Sequence, residues 1–314
     1  MAHPDYEPQL ATLVKHPPSG PGWLHEIKYD GYRIGCRIVD GRATLISRNG
    51  KDWTDAFPDV AAAAAKLPTK DALLDGEVAM VLPDGRTSFQ LLQGAASGSA
   101  ARGTLVYLVF DLLRLDGDRL TSLPLLERKA RLLALVGRRT TGRIRYADHF
   151  EGSGQAFFEQ ARRLGLEGII SKRAAEPYRA GRHGDWVKTK CVQQQEFVIG
   201  GFTDPEGARA GLGALLIGYY DGARLAFSGK VGTGFTHKGA LDLRQRLDAL
   251  EQQTSPFDPR PEGALGKRAH WVKPQLVCEV VFTEWTGDGK IRHPSFKGLR
   301  EDKKPRQVTR ERPS

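Results

Sequence analysis

Between Trp23 and Ser47 apolar and polar positions alternate, with Val, Ile, Tyr and Leu separated by Asp-Gly pairs, the period-two pattern of strands joined by turns. The period changes over residues 55–67, where Phe57, Val60, Ala61 and Ala64 share a helical face and Pro68 ends the run. Residues 73–82 and 105–113 return to strand character, 123–136 and 154–164 read as helices, and 168–171 are a short buried-strand candidate. Strands and helices mix here without regular βαβ alternation. An α+β domain is therefore expected over 23–190, preceded by a Pro- and Gly-rich lead-in at 1–22.

After Lys190 the texture changes to short strands at 196–202, 213–220, 223–231 and 276–285, with one helix near 238–250. That pattern fits an oligonucleotide-binding (OB) β-barrel, so 191–314 reads as a second domain. A chain of 314 residues is long enough to bury two modest cores.

Charge narrows the partners. Lys plus Arg outnumber Asp plus Glu by 47 to 37, and the resulting net charge of +10 suits a polyanion, since phosphate contacts supply most nucleic-acid affinity. Cys36, Cys191 and Cys278 include no Cys-x-x-Cys pair, so neither a disulfide framework nor a zinc site is signalled. The first residues lack an apolar signal core and no stretch approaches the roughly 18 apolar residues of a membrane span, so a cytosolic protein is expected. No Gly-x-x-x-x-Gly-Lys-Ser/Thr loop exists, and the glycines of 229–234 have the wrong spacing for a dinucleotide fold. Phosphate must be bound another way.

Lys28 lies in Glu26-Ile27-Lys28-Tyr29-Asp30-Gly31-Tyr32-Arg33. A lysine can form a phosphoramidate with a nucleotide if neighbouring cations, a metal or desolvation bring its ordinary pKa of roughly 10.4 toward the working pH. Taken alone, the segment reads as an exposed lysine beside a hairpin turn, because Asp-Gly is a common turn and also occurs at Asp40, Asp75, Asp84, Asp116, Asp221 and Asp288. The segments that follow change that reading. In order they are Ser47-Arg48-Asn49-Gly50-Lys51, Leu74-Asp75-Gly76-Glu77, Phe110-Asp111 within an apolar run, Glu167-Gly168-Ile169-Ile170-Ser171-Lys172, Trp186-Val187-Lys188-Thr189-Lys190 and Arg300-Glu301-Asp302-Lys303. Lys188 and Lys190 alternate, so on a strand both point the same way, and two cations facing one site are reconciled by a phosphate between them.

This series resembles the covalent nucleotidyltransferase superfamily of ATP-dependent DNA ligases, RNA ligases and mRNA capping enzymes. The residues from Phe282 to Thr286 and from Arg292 to Lys303 resemble the closing segment of the bacterial ligase D type. The resemblance implies an adenylation domain followed by an OB domain, with Lys28 attacking the α-phosphate of ATP to become lysyl-AMP. It implies that Glu167 holds Mg²⁺ or Mn²⁺, and that Glu77 bonds the ribose and also reaches the metal. It puts Phe110 on the adenine face, Glu26 at the adenine amino group and Ile27 among the nucleotide-binding residues. Arg33 and Arg48 are matched to ribose and phosphate, Lys188 and Lys190 to phosphate, and Arg300, Asp302 and Lys303 to pyrophosphate in the first step.

The implied substrate is nicked or broken duplex DNA, sealed during non-homologous end joining by a monomer of the bacterial cytosol or nucleoid, beside a Ku-type end-binding protein and a repair polymerase. An mRNA capping guanylyltransferase or an RNA ligase is the nearest rival, and Glu26 and the terminal Arg-x-Asp-Lys disfavour the capping enzyme. A catalytically silent nucleic-acid-binding module is the rival from another class. It would be marked by loss of Lys28 or a motif carboxylate, and none is lost.

Overall fold

The computed structural model describes residues 6–96, 103–138, 141–205 and 211–313. The chain divides into two compact units, one running to Cys191 and the second spanning Val192–Arg312.

The first unit holds two sheets. One is built from β1 (Gln9–Leu13), β2 (Trp23–Ile27), β9 (Phe150–Glu151), β10 (Gly168–Arg173) and β11 (Gly181–Lys190), in the order β1-β11-β10-β2-β9. The other contains β3 (Tyr32–Val39), β4 (Arg42–Ser47), β5 (Asp71–Val81), β6 (Thr104–Leu115), β7 (Asp118–Arg119) and β8 (Ile144–Tyr146), in the order β4-β3-β5-β6-β7 with β8 beside β6. One face of this second sheet carries α1 (Pro58–Ala64), α2 (Phe89–Ala96) and α3 (Leu125–Val136) over a core that includes Ile34, Cys36, Leu74, Leu112, Val60 and Leu132. Its opposite face sends Ile46, Leu73, Phe110 and Leu113 to meet Trp186 of the five-stranded sheet. α4 (Gly154–Arg163), capped by the Ser153 hydroxyl accepting from the Ala156 N–H, precedes β10.

Two bulges create that division of side chains. Opposite β5, Gly76 pairs with Val109 and Asp75 with Asp111, leaving Phe110 as an extra residue; Leu74 pairs with Leu112 and Leu73 with Arg114, leaving Leu113 extra. A bulge re-aims the side chain it inserts, and these two deliver Phe110 and Leu113 to the same cluster between the sheets. The nearly continuous apolar run of β6 follows from burial on both faces.

Two of the Asp-Gly pairs are not turns. Asp75-Gly76 lies inside β5, where a Cβ at Gly76 would stand 2.5 Å from the Tyr107 ring, and at Gly31 it would stand 2.3 Å from the Val78 carbonyl oxygen. Both glycines permit close approach rather than a reversal. Residues 6–22 of the segment expected as a lead-in contribute structure too. β1 pairs in parallel with β11, and Tyr6 is buried with its hydroxyl donating to Asp75 at 2.7 Å.

The second unit is a seven-stranded assembly of β12 (Gln193–Thr203), β13 (Ala214–Asp221), β14 (Arg224–Val231), β15 (Glu251–Gln252), β16 (Ala269–Val272), β17 (Val277–Phe282) and β18 (Ser295–Leu299), with α5 (His237–Asp248) and α6 (Gly263–Arg268). β12 pairs through residues 198–203 with β13, and it gives residues 193–198 to β17 and 201–203 to β16. One long strand thus serves partners that separate around it, as expected of an OB barrel. The core runs through Phe197, Ile199, Leu215, Val231, Val280 and the Leu243–Leu247 face of α5.

Candidate active site

Register fixes which side chains of the five-stranded sheet share a face. Glu26 stands opposite Ile170, which stands opposite Lys188; Leu24 aligns with Lys172 and then Trp186, and Gly168 with Lys190. Directly opposed residues project to the same side. Glu26, Lys172, Trp186, Lys188 and Lys190 therefore occupy one face, while Ile27, paired with Ile169 and Thr189, belongs to the other. Any contact from Ile27 to a ligand on the Glu26 face must come from its backbone.

Lys28 follows β2 and is tied down by its backbone N–H donating to the Gly168 carbonyl at 2.9 Å. Its ammonium donates to Glu167 Oε1. Glu167 sits at the entry to β10, where its carbonyl accepts from the Cys191 N–H at 2.9 Å, and its side chain is nearly buried. The second carboxylate oxygen, Oε2, is buried with no hydrogen-bond partner. An anionic oxygen shielded from water and short of a donor fits a hard divalent cation. Among the described residues no group of three or more His, Cys, Asp or Glu side chains could hold a metal ion, so a bound ion would complete its shell with phosphate oxygens and water.

Glu26 is buried between two ammonium groups, with Lys129 donating to Oε1 at 2.7 Å and Lys172 to Oε2 at 2.6 Å. Burial pushes its carboxyl up, but the two lysines more than cancel this and hold it below its ordinary value. For Lys172 burial wins over the pull of Glu26 and lowers the ammonium to about 8. Lys172 Nζ lies 4.1 Å from the centroids of both Phe110 and Trp186, whose rings meet edge to face at 5.9 Å. Phe110 is only 8% exposed, and the Arg33 guanidinium lies 4.6 Å from its ring centroid.

Arg33 has much of its hydrogen-bonding capacity committed. Its Nε and Nη2 both donate to Asp75 at 2.6 Å, and Nη2 also reaches the Gln9 carbonyl at 3.2 Å. Asp75, fully buried, accepts in addition from Tyr6 and Tyr178 at 2.7 Å each. Nη1 is the nitrogen of Arg33 left to reach a ligand. Glu77 is the β5 residue paired with Arg33, beside the close approach of Gly31, and Arg48 opens the turn closed by the Gly50 N–H donating to the Ser47 carbonyl at 2.8 Å.

In the second unit the terminal motif is knitted to its own strands. Arg300 donates to both Asp302 oxygens, at 2.8 and 2.9 Å, and to Glu279 at 2.8 Å, while Lys303 pairs with Glu196 at 3.0 Å. These carboxylates counter the desolvation of Arg300 and raise its already high pKa.

Lys129 carried no sequence signal beyond its place on a helix, and Lys172 and Trp186 were visible only as flanks of recognised segments. The fold unites them because α3 reaches both sheets. Lys129 bonds Glu26 of one sheet, and its neighbour Arg128 forms a fully buried bidentate pair with Asp111 of the other, at 2.8 and 2.9 Å.

An amine paired to a buried carboxylate, beside a sheet face that carries Lys188 and Lys190 and sets Trp186 against Phe110 of the other sheet, is the architecture of a covalent nucleotidyltransferase. Residues 8–190 match the ATP dependent DNA ligase domain and residues 208–303 the ATP dependent DNA ligase C terminal region. The chain belongs to the ATP-dependent DNA ligases. It is 42% identical over 310 residues to the multifunctional non-homologous end joining protein LigD of Pseudomonas aeruginosa, covering 98% of this chain and 37% of that protein. It is 38% identical over 292 residues to the corresponding DNA repair protein LigD of Mycobacterium tuberculosis, covering 92% of this chain and 37% of that protein. The chain thus spans a little over a third of the length of these relatives. The solved structure of mycobacterial DNA ligase D complexed with ATP and MES aligns over 96% of this chain and 98% of its own, with TM-score 0.69 and 34% identity. No helix among the described residues is long and apolar enough to cross a membrane.

Proposed function

We propose that this chain is a DNA-sealing module that joins a 5′-phosphate to a 3′-hydroxyl at the expense of ATP, in bacterial repair by non-homologous end joining. The observation that carries the reading is the Lys28–Glu167 pair, with its buried second oxygen, inside the region matching the ligase domain. The similarity to LigD proteins supports the pathway, and the complex of mycobacterial DNA ligase D with ATP supports the co-substrate.

In the first step Lys28 Nζ, having given up a proton, bonds to the α-phosphorus of ATP while the bond from that phosphorus to the bridging oxygen breaks and pyrophosphate leaves. Next a 5′-phosphate oxygen attacks the same phosphorus, the P–N bond breaks and Lys28 regains its proton. Finally the 3′-hydroxyl attacks the 5′-phosphorus, loses its proton and releases AMP. The chain contributes positioning and charge neutralisation rather than a series of acids and bases. Glu167 Oε1 holds the amine, and Lys188 and Lys190 meet phosphate. Glu26 and Phe110 take the adenine beside Ile27, Glu77 takes the ribose with Arg33 and Arg48 near it, and Arg300, Asp302 and Lys303 serve the pyrophosphate. A divalent ion, Mg²⁺ or Mn²⁺, held by Glu167 and reached by Glu77, would neutralise phosphate charge and favour the neutral amine of Lys28.

In this reading residues 23–190 are the adenylation domain and residues 191–314 the OB domain. The module acts as a monomer in the cytosol or nucleoid on duplex DNA, with a Ku-type protein and a polymerase as companions. Mass spectrometry of protein exposed to ATP and metal tests the chemistry. A single added AMP is expected, mapping to Lys28 and absent from Lys28→Arg, whose guanidinium is not a nucleophile. Labelling by GTP in place of ATP would instead favour a capping enzyme.

A further inference from the structure

Lys129 has no part in the steps above, yet it is among the most constrained side chains of the first unit. Its buried ammonium donates to Glu26 Oε1 at 2.7 Å, to the Ala147 carbonyl at 3.0 Å and to the Phe110 carbonyl at 3.5 Å, with the Tyr146 ring centroid 4.8 Å away. An ammonium has three N–H groups, and protein acceptors from three separate segments take all of them. Lys172 occupies the other oxygen of the same carboxylate.

As mere packing this arrangement is expensive. A buried ion pair can often be replaced by apolar side chains at no loss of stability, and α3 could be fastened to the sheet by leucines. Instead two ammonium groups and one carboxylate are buried beside Phe110, the ring read as the stacking partner of the base. The chemistry of the two purines gives the arrangement a use. Adenine offers a 6-amino donor at the edge where guanine offers a 6-oxo acceptor. An ionised carboxylate can only accept, so it suits the adenine amino group and repels the guanine oxygen.

We infer that Lys129 is a positioning residue for base selection: by its bond to Oε1 it fixes the Glu26 carboxylate, charged and accepting, toward the nucleotide, and so supports the preference for ATP over GTP. The inference rests on the reading of Glu26 as acceptor of the adenine amino group. Lys129 acts only through Glu26.

The test compares self-nucleotidylation by ATP and GTP in the whole chain for the wild type, Lys129→Met, Lys129→Gln and Glu26→Gln. Lys129→Met is expected to raise KM for ATP more than it lowers kcat, and to reduce the ATP-over-GTP ratio of kcat/KM by roughly ten-fold or more. Lys129→Gln, which keeps a donor, is expected to lose less, and it carries the comparison if the methionine variant does not fold. An unchanged ratio in folded Lys129 variants, beside a reduced ratio in Glu26→Gln, would make Lys129 purely structural and overturn the inference. An unchanged ratio in Glu26→Gln would instead overturn the reading of Glu26 itself.

Discussion

Glu167 holds the Lys28 ammonium with one carboxylate oxygen and keeps the other buried without a partner. The same side chain restrains the amine and, in the function proposed above, would receive a cation. Glu167→Gln preserves shape but removes the charge from both tasks, and the bond that anchors the residue, from the Cys191 N–H to its carbonyl, is unaffected. Self-adenylation should fall by ~10²-fold or more with little change in Tm. A near-normal rate across a metal titration would remove Glu167 from the chemistry.

Phe110 decides between core packing and base stacking. Phe110→Leu keeps apolar bulk but removes the π-face presented to Lys172. Stability should drop by about 1 kcal/mol, while ATP affinity weakens several-fold, in line with ~1–3 kcal/mol for stacking a base. Calorimetric titration with ATP beside thermal unfolding measures both, and marked unfolding with unchanged affinity would favour the packing role.

Arg128 and Asp111 are both fully buried and paired bidentately. Arg128→Met strands the carboxylate, and urea unfolding should report a loss of about 3–5 kcal/mol. Adding Asp111→Leu removes the stranded charge, so the double variant should recover much of that loss.

Lys303 tests the terminal motif. If it serves only the ATP-bound first step, Lys303→Ala should block self-adenylation yet still permit sealing of a nick already carrying 5′-AMP. Equal loss in both assays would mean that its pairing with Glu196 is a structural fastening of the second unit.

Lys172 gives a pH signature. Burial holds its ammonium at about 8 in the native chain, whereas an unfolded lysine titrates near ~10.4. Between those values the unfolded chain binds more protons than the native one, so native stability rises with pH there, and below that window the buried charge is a net cost. Measured against Lys172→Met, which does not titrate, wild-type stability should climb from about pH 8 toward the ordinary lysine range. A flat difference across that range would show that the native lysine keeps its ordinary proton affinity.

The sequence by itself determined a good deal of this protein. Period-two alternation announced the strands around Lys28, the helices expected over 123–136, 154–164 and near 238–250 form at Leu125–Val136, Gly154–Arg163 and His237–Asp248, and an α+β region followed by an OB barrel was legible from texture alone. The order of charged segments around Lys28 pointed to the ligase family. Alternation is a local property, and so are propensity and motif spacing. What only the tertiary structure decided depends on long-range pairing. The bulges that turn Phe110 and Leu113 away from the alternation of β6 arise from register against β5, and glycine at 31 and 76 answers to neighbouring strands rather than to its own turn. The pairing of Lys28 with Glu167, and of Glu26 with Lys129 and Lys172, joins residues more than a hundred positions apart. Whether a lysine on a helix is solvated, or buried against a carboxylate as Lys129 is against Glu26, is set by what the fold packs over it, and no local pattern in the chain records that.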